Sequence, residues 1–310
     1  MLKYILRRIV YMIITLWLIT TLTFVLMKSL PGDPFGEASA KMTNAQRQIL
    51  MTQYGLDKPI GEQYLKYLND VIHGDLGVSF QFPAHTVTEK IKQAFPNSLE
   101  LGLWALIIAV IVGLTLGIIA ALNHNKAPDY TAMITAVIGV SVPSFVLGPL
   151  LSYFVGVKLG WLPPGLWNGP EHRILPAIAL SFGTLAQIAR MMRTSMLDVL
   201  NQDYIKTAKA KGLTQSATVF RHTLRNAIMP VITILGPIFV NLITGTLVVE
   251  RIFSVPGLGT HFVQSIYSND YTMIAGLTIF YSAILVVVIF LTDILYGFID
   301  PRIRLAKGRS

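Results

Sequence analysis

The sequence predicts an all-α integral membrane protein with six transmembrane helices and both termini inside (N-in/C-in). Three observations predict it. Of 310 residues, 53% are hydrophobic and only 13% charged, against about 25% charged in a soluble domain, and so little polar surface cannot cover a water-soluble core. Six apolar stretches approach the roughly 20 residues that a helix needs to cross a bilayer. The cations gather in short segments beside those stretches, which is the positive-inside pattern. That distribution argues against nucleic-acid binding, which the net charge of +9 would otherwise suggest. The chain has no cysteine, so disulfides, thiol catalysis and cysteine metal sites are excluded.

The first span, Ile9 to Met27, follows Lys3, Arg7 and Arg8 and belongs to the element at 1–28. Its apolar run is too long for a signal peptide, and "MKSLPGDPF" has no small-x-small cleavage site. Residues 29–97 are expected to form a helical, extracytoplasmic loop domain. Thr43-x-x-Gln46 resembles a capping box, and Gly55 with Pro59 would close that helix. Tyr64, Leu65, Leu68, Val71 and Ile72 follow helical spacing up to Gly74. Thr86-x-x-Glu89 opens a third helix with Val87, Ile91 and Phe95 on one side. A cap over the membrane part and a docking surface for an external partner both fit this segment.

The core is expected at 98–298. Leu101 to Leu122 follows Pro96, Asn97 and Ser98, which suit a helix start, with Glu100 at the positive end. Tyr130 to Val157 is uncharged but contains Pro143 and Pro149. Ile174 to Ala189 is short and continues past Arg190 into water. Asn226 to Val249 carries Pro230 and Pro237, and Tyr271 to Thr292 is the last span. Residues 299–310 form a cytoplasmic tail with Arg302, Arg304, Lys307 and Arg309. An even number of spans puts both ends and the basic loop after the fourth span on one side.

The outer loop from Glu250 to Tyr271 contains a Pro256-Gly257-Leu258-Gly259 turn. A short helix, His261 to Tyr267, should follow it. Glu250, Pro256, Gly257 and Gly259 are candidates for an outer gate or docking loop, and plain packing fits them as well.

No catalytic constellation stands out. There is no G-x-x-x-x-G-K-[ST] and no H-E-x-x-H, and the six histidines fall at no ligand spacing. Ser141 in "GVSVPSF" would be the nucleophile of an intramembrane serine hydrolase, but it lacks the G-x-S-x-G elbow. A serine beside a proline more often satisfies freed backbone groups. The span interiors hold no ionisable residue, since Glu100 and Asp293 lie near span ends. That tells against an ion-coupled carrier acting alone, so energy for uphill movement would come from elsewhere.

The loop at 198–226 holds "DYIKTAKAKGL", Asp203 to Leu213. Asp203 suits an N-cap or first turn, and Gly212 suits the residue just past the helix end. A second helical run goes from Thr214 through Val219, Phe220 and Leu224 towards Pro230. Thr207, Ala208 and Ala210 keep the first helix slim, while Lys206, Lys209 and Lys211 carry charge. Composition alone allows a topology-fixing loop, or a handle for an acidic partner or lipid head groups.

"DYIKTAKAKGLTQSATVFRHTLRNAIMP" resembles the coupling loop of permease subunits of binding-protein-dependent ABC importers. The family pattern is E-A-A, three residues, Gly, nine residues, I-x-L-P. Lys206-Thr207-Ala208 stands at E-A-A, Gly212 at the glycine, and His222-x-Leu224-Arg225 at I-x-L-P, with Pro230 five residues later. "YGLDKPIGEQYLKYL", "GDLGVSF", "PSFVLGPLLSYFVGVKLGWLP" and "VVERIFSVPGLG" are similar to the oligopeptide/dipeptide type. So is the N-terminal stretch ending in "MKSLPGDPF", so the likeness runs from about residue 1 to about 305.

The resemblance implies a type I (MetI-like) permease fold in the cell membrane and no catalysis by this chain. It implies no cofactor on this chain, with ATP and Mg held by two ATP-binding subunits. Asp203, Tyr204, Lys206, Thr207, Ala208, Lys209, Gly212 and Leu213 would couple to those subunits. A second homologous permease would complete a pathway for an oligopeptide or dipeptide. An extracytoplasmic peptide-binding protein or lipoprotein would deliver it. Ser141, Pro143, Ser144, Asn241 and Thr244 are the pathway candidates, through proline bends and hydrogen bonds to a peptide backbone. The same subfamily carries nickel complexes and some sugars.

Overall fold

The computed structural model describes residues 2–29, 43–79 and 86–299. The expected tail beyond 299 and the stretch 30–42 lie outside the described residues. In chain order the helices are α1 (Leu2–Ser29), α2 (Asn44–Tyr54), α3 (Ile60–Ile72), α4 (Val87–Leu122) and α5 (Ala127–Ser141). There follow α6 (Ser144–Leu151), α7 (Ile174–Leu200), α8 (Asp203–Ala210), α9 (Gln215–Thr218) and α10 (Leu224–Ala227). The last four are α11 (Met229–Thr244), α12 (Leu247–Phe253), α13 (Leu258–Tyr267) and α14 (Tyr271–Ile299). Four helical segments are long and apolar enough to cross a membrane, and two bent pairs make six if each counts as one span.

The chain divides into two compact units, 1–97 with 256–310 and 98–255. In the first, α1 lies along α14, with Arg8 and Asp293 paired at 2.8 Å. Thr43 and Gln46 form the capping box that opens α2, and Gly55 closes it with φ +69°. Tyr64 and Tyr67 of α3 pack their rings on Phe24, 5.3 and 5.4 Å away. Burial raises the Tyr67 phenol pKa. Val87, Ile91 and Ala94 form a core with Leu258, Met273 and Leu277.

Thr86 and Glu89 do form a capping box. The helix they open is not a separate loop helix, because α4 runs unbroken through Pro96 to Leu122. The lost donor at Pro96 costs about 3 kcal/mol. Core packing of Ile91 and Ala94 and an edge contact of Phe95 with Phe280 hold the turn before it. Asn97 is not a cap. Its side-chain amide donates to the Pro256 carbonyl at 2.8 Å.

The second unit is built around α7, with α5, α6, α11 and α12 against it. Gly113 and Gly117 of α4 let the backbones meet. A Cβ there would stand 2.8 Å from the Leu185 carbonyl oxygen and 2.6 Å from that of Ala189. This G-x-x-x-G spacing is the familiar small-residue seam of membrane helices.

The third and fifth spans differ from expectation. The third breaks at Val142–Pro143, and its halves bend by 103°. Pro143 offers no N–H and pushes Val142 into extended backbone (φ −94°, ψ 111°). Pro149 rides inside α6, which continues to Lys158 as a widened π-type turn. The fifth span starts at Met229, after a 47° bend, and ends at Thr244. Val249 and Glu250 belong to the separate helix α12 and are fully buried. Glu250 therefore does not sit on an outer loop, as the sequence suggested.

Candidate coupling hairpin and pathway residues

Residues 203–227 form a helical hairpin. Gln202 precedes α8 as its N-cap in extended backbone, so Asp203 takes the first-turn role. There its negative charge suits the helix dipole. Asp203 also pairs with Lys206 at 2.9 Å in full view of solvent. At the other end Gly212 has φ +83°. Its N–H donates to the Lys209 carbonyl and that of Leu213 to the Ala208 carbonyl. These two bonds make a Schellman motif, which needs the left-handed residue that glycine supplies.

Thr214 starts the second arm, its hydroxyl accepting from the Ala217 N–H at 3.3 Å. That arm passes through a π-type turn, Val219–Thr223, and then α10. Asn226 donates its amide to the Tyr204 hydroxyl at 3.1 Å and ties the two arms together. His222-x-Leu224-Arg225 lacks the family pattern's proline. The second arm runs on to Ala227, and the bend falls at Ile228, just before Met229 and Pro230, instead.

Ile205 and Ala208 are buried against their own chain. Ala208 is thus not on the outward face, which the expected slim surface had included. Tyr204, Lys206, Thr207, Lys209, Ala210 and Lys211 remain exposed. Leu213 is half-buried and, with Lys209, lines a cleft of about 470 Å³. The ends of α4 and α7 complete it through Ala121, Leu122 and Leu200.

One cluster had no counterpart in the sequence reading. Asp129, in the first turn of α5, is almost fully buried. Arg193 of α7 grips both its oxygens, Nε–Oδ1 at 2.6 Å and Nη2–Oδ2 at 2.7 Å. The Asn125 N–H donates to Oδ2 at 2.9 Å, and His124 Nδ1 lies 3.3 Å from it. Arg193 lies three residues past Arg190, in the stretch that the sequence carries beyond the fourth span. The available signal was Asp129 itself, the one acid in the short connection 123–130 between the second and third spans.

Among the pathway candidates, Ser141 donates to the Val137 carbonyl at 2.8 Å, the local bonding expected beside a proline. Pro143 and half-buried Ser144 mark the break and the first turn of α6. Asn241 is exposed on α11, and Thr244 donates to the Val240 carbonyl at 2.9 Å. In the other unit, Pro256 and Gly257 lead into α13, where Gly259 is buried. Burial, and secondarily Lys90, lowers the pKa of His261 on that helix.

A multispanning helical chain with a basic, glycine-capped hairpin is the build of a transport-system membrane subunit. Residues 113–305 match the family described as "Binding-protein-dependent transport system inner membrane component", and residues 1–102 match its N-terminal counterpart. The chain is 48% identical over 307 residues to the "Dipeptide transport system permease protein DppB" of Bacillus subtilis, covering 99% of each. It is 42% identical over 306 residues to the "Oligopeptide transport system permease protein OppB" of Haemophilus influenzae, covering 98% of this chain and 100% of the relative. Among solved structures it is similar to the MetNI methionine ABC transporter. The TM-score is 0.57 at 18% identity, over 68% of this chain and 96% of the other. A second likeness is to an amino acid ABC transporter, with TM-score 0.52 at 19% identity over 69% and 94%.

The chain belongs to the family of binding-protein-dependent transport system inner membrane components. It is an integral membrane permease subunit of type I, MetI-like fold, and a transport component rather than an enzyme. It works with other components of an ABC transporter.

Proposed function

We propose that this chain lies in the cell membrane, N-in/C-in, and forms a peptide pathway with a second homologous permease. Two ATP-binding subunits supply the energy and hold ATP and Mg, while this chain holds no cofactor. An extracytoplasmic peptide-binding protein or lipoprotein delivers an oligopeptide or dipeptide. The segment 29–97 lies outside, the core spans 98–298, and the loop 198–226 and tail 299–310 are cytoplasmic.

The hairpin is the observation that carries this reading. Its exposed face of Tyr204, Lys206, Thr207, Lys209 and Lys211 presents charge and a short rigid helix to a partner's groove. The Schellman motif at Gly212 and the Asn226–Tyr204 bond make the two arms one lever. Pulling such a lever biases a two-state bundle, which is coupling without chemistry. The peptide assignment is supported by relatives named for dipeptide and oligopeptide transport. Ser141, Pro143 and Ser144 at the third-span break and Asn241 and Thr244 on α11 are the proposed pathway residues. Pro256, Gly257 and Gly259 are proposed for the outer gate or docking loop.

The test is reconstitution in vesicles with the second permease, both ATP-binding subunits and the binding protein. Labelled peptide should accumulate only with ATP. Accumulation by this chain without the ATP-binding subunits would sink the reading, and so would crosslinks that place the hairpin outside.

A further inference from the structure

The cluster at the base of α5 has no place in the reading above. Close contacts join α5 to α7 near both ends of α5. Near its start, Arg193 holds Asp129 through two short bonds, with His124 Nδ1 3.2 Å from the same guanidinium. Near its end, a Cβ on Gly139 would stand 3.1 Å from the Ala186 Cβ and 3.1 Å from the Phe182 carbonyl oxygen. Between them Ala132 and Ala136 are buried. A small-residue seam closed by a bidentate ion pair resists both sliding and tilting.

The chain on either side of that seam is different. α7 ends at Leu200, and the hairpin starts at Asp203. Arg193 therefore sits about two helical turns above the hairpin's root. At the far end of α5 the backbone breaks at Val142–Pro143, with a 103° bend before α6 continues.

We infer that the Asp129–Arg193 pair is a clasp that makes the first half of the third span move with α7 and the hairpin. The movement imposed on the hairpin is then taken up at the Val142–Pro143 break, beside the proposed pathway residues. Asp129 and Arg193 are positioning residues, since they act through the helices they join. This inference rests on the importer reading.

The experiment uses the reconstituted complex and measures peptide moved per ATP hydrolysed. Wild-type complex is the control for the importer reading: if it moves no peptide with ATP, that reading fails and the clasp is not at issue. Asp129→Asn should lower the ratio on the order of tenfold while ATP hydrolysis persists. Asp129→Asn with Arg193→Met removes both charges and restores assembly if the single change harms folding. The ratio should stay low in this double variant, because the clasp is absent. A normal ratio in the assembled double variant overturns the proposal and leaves the pair a purely structural role.

The lack of cysteine in this chain allows a second arm. Gly139→Cys with Ala186→Cys staples the α5–α7 seam when oxidised. Transport in the oxidised complex should equal that in the reduced complex, because the two helices already move together. Transport that stops on oxidation and returns on reduction overturns the clasp, since it shows that α5 moves against α7.

Discussion

Asp129–Arg193 and Asp203–Lys206 are both carboxylate–cation pairs in the same compact unit, and their surroundings are opposite. Asp129 is 2% exposed and bound through both oxygens, with Arg193 at 22%. Asp203 is 95% exposed and Lys206 70%, joined by one contact at 2.9 Å. Guanidinium suits the first pair because its fork matches a carboxylate. Ammonium suits the second because it keeps its hydration. The first pair is committed inward and holds helices together. The second is loosely held, so its cation is available to another molecule. The family pattern points to the exposed pair's helix, whereas the energetics concentrate at the buried one.

The largest effect should therefore come from stripping one partner of the buried pair. Arg193→Ala leaves a buried carboxylate with its main counter-charge gone, at a cost of about 3–5 kcal/mol. Thermal unfolding of the detergent-solubilised complex should show a clear fall, or yield should collapse. If Arg193→Ala proves no worse than Lys206→Ala, the contrast between the pairs is wrong.

Next comes the turn between the hairpin arms. Gly212 at φ +83° tolerates no β-branched side chain without strain. Gly212→Val should cost roughly 1–2 kcal/mol locally and distort the Schellman turn. Open space surrounds the position, so the penalty is backbone conformation and not a clash. Vesicle assays should show ATP hydrolysis without matching peptide uptake. Gly212→Asn, which enters the left-handed region more readily, should keep more of the coupling. Equal behaviour of the two variants would mean that backbone conformation there does not matter.

A smaller effect belongs to the second arm's cap. Thr214→Ala removes the side-chain acceptor for the Ala217 N–H, worth about 1 kcal/mol. Amide exchange across Gln215–Ala217 should quicken while α8 keeps its protection. Loss of protection in both helices would show that the arms unfold as one unit.

What was legible in the sequence follows local rules. Thr43 and Gln46, Thr86 and Glu89, Gly55 and Gly212 took the roles their side chains or missing Cβ dictate. Those roles need only neighbours within a few residues. Pro96 and Pro143 show where this ends. Both lack a donor, yet α4 passes through one, and the third span breaks at the other. Contacts far along the chain, such as Phe95 with Phe280, help hold the first helix together. Ala208 was placed on the wrong side of its helix, and Asp129 was passed over, for the same reason. Which side of a short helix is buried, and whether an acid meets an arginine 64 residues away, is set by packing. Gly113 and Gly117 stand at G-x-x-x-G spacing in the sequence and drew no reading there, because only their meeting with Leu185 and Ala189 gives the spacing meaning.

The exposed pair should yield the smallest change in stability and the most telling change in association. Lys206→Ala removes a single solvent-facing contact, worth about 0.5 kcal/mol or less. Unfolding of the complex should barely move. Lys206 nevertheless stands beside Lys209 and Lys211 on the hairpin's exposed face, and exposed cations mainly govern encounter with an acidic partner. Lys206→Glu should weaken binding to the ATP-binding subunits, most strongly at low salt, where screening is weakest. Raising ionic strength should bring wild type and variant together. A defect that persists at high salt would mean that Lys206 packs in a dry contact with its partner. An absent defect at low salt would mean that Tyr204, Thr207 and Ala210 make the contact by shape alone, which would remove the functional half of the contrast between the two pairs.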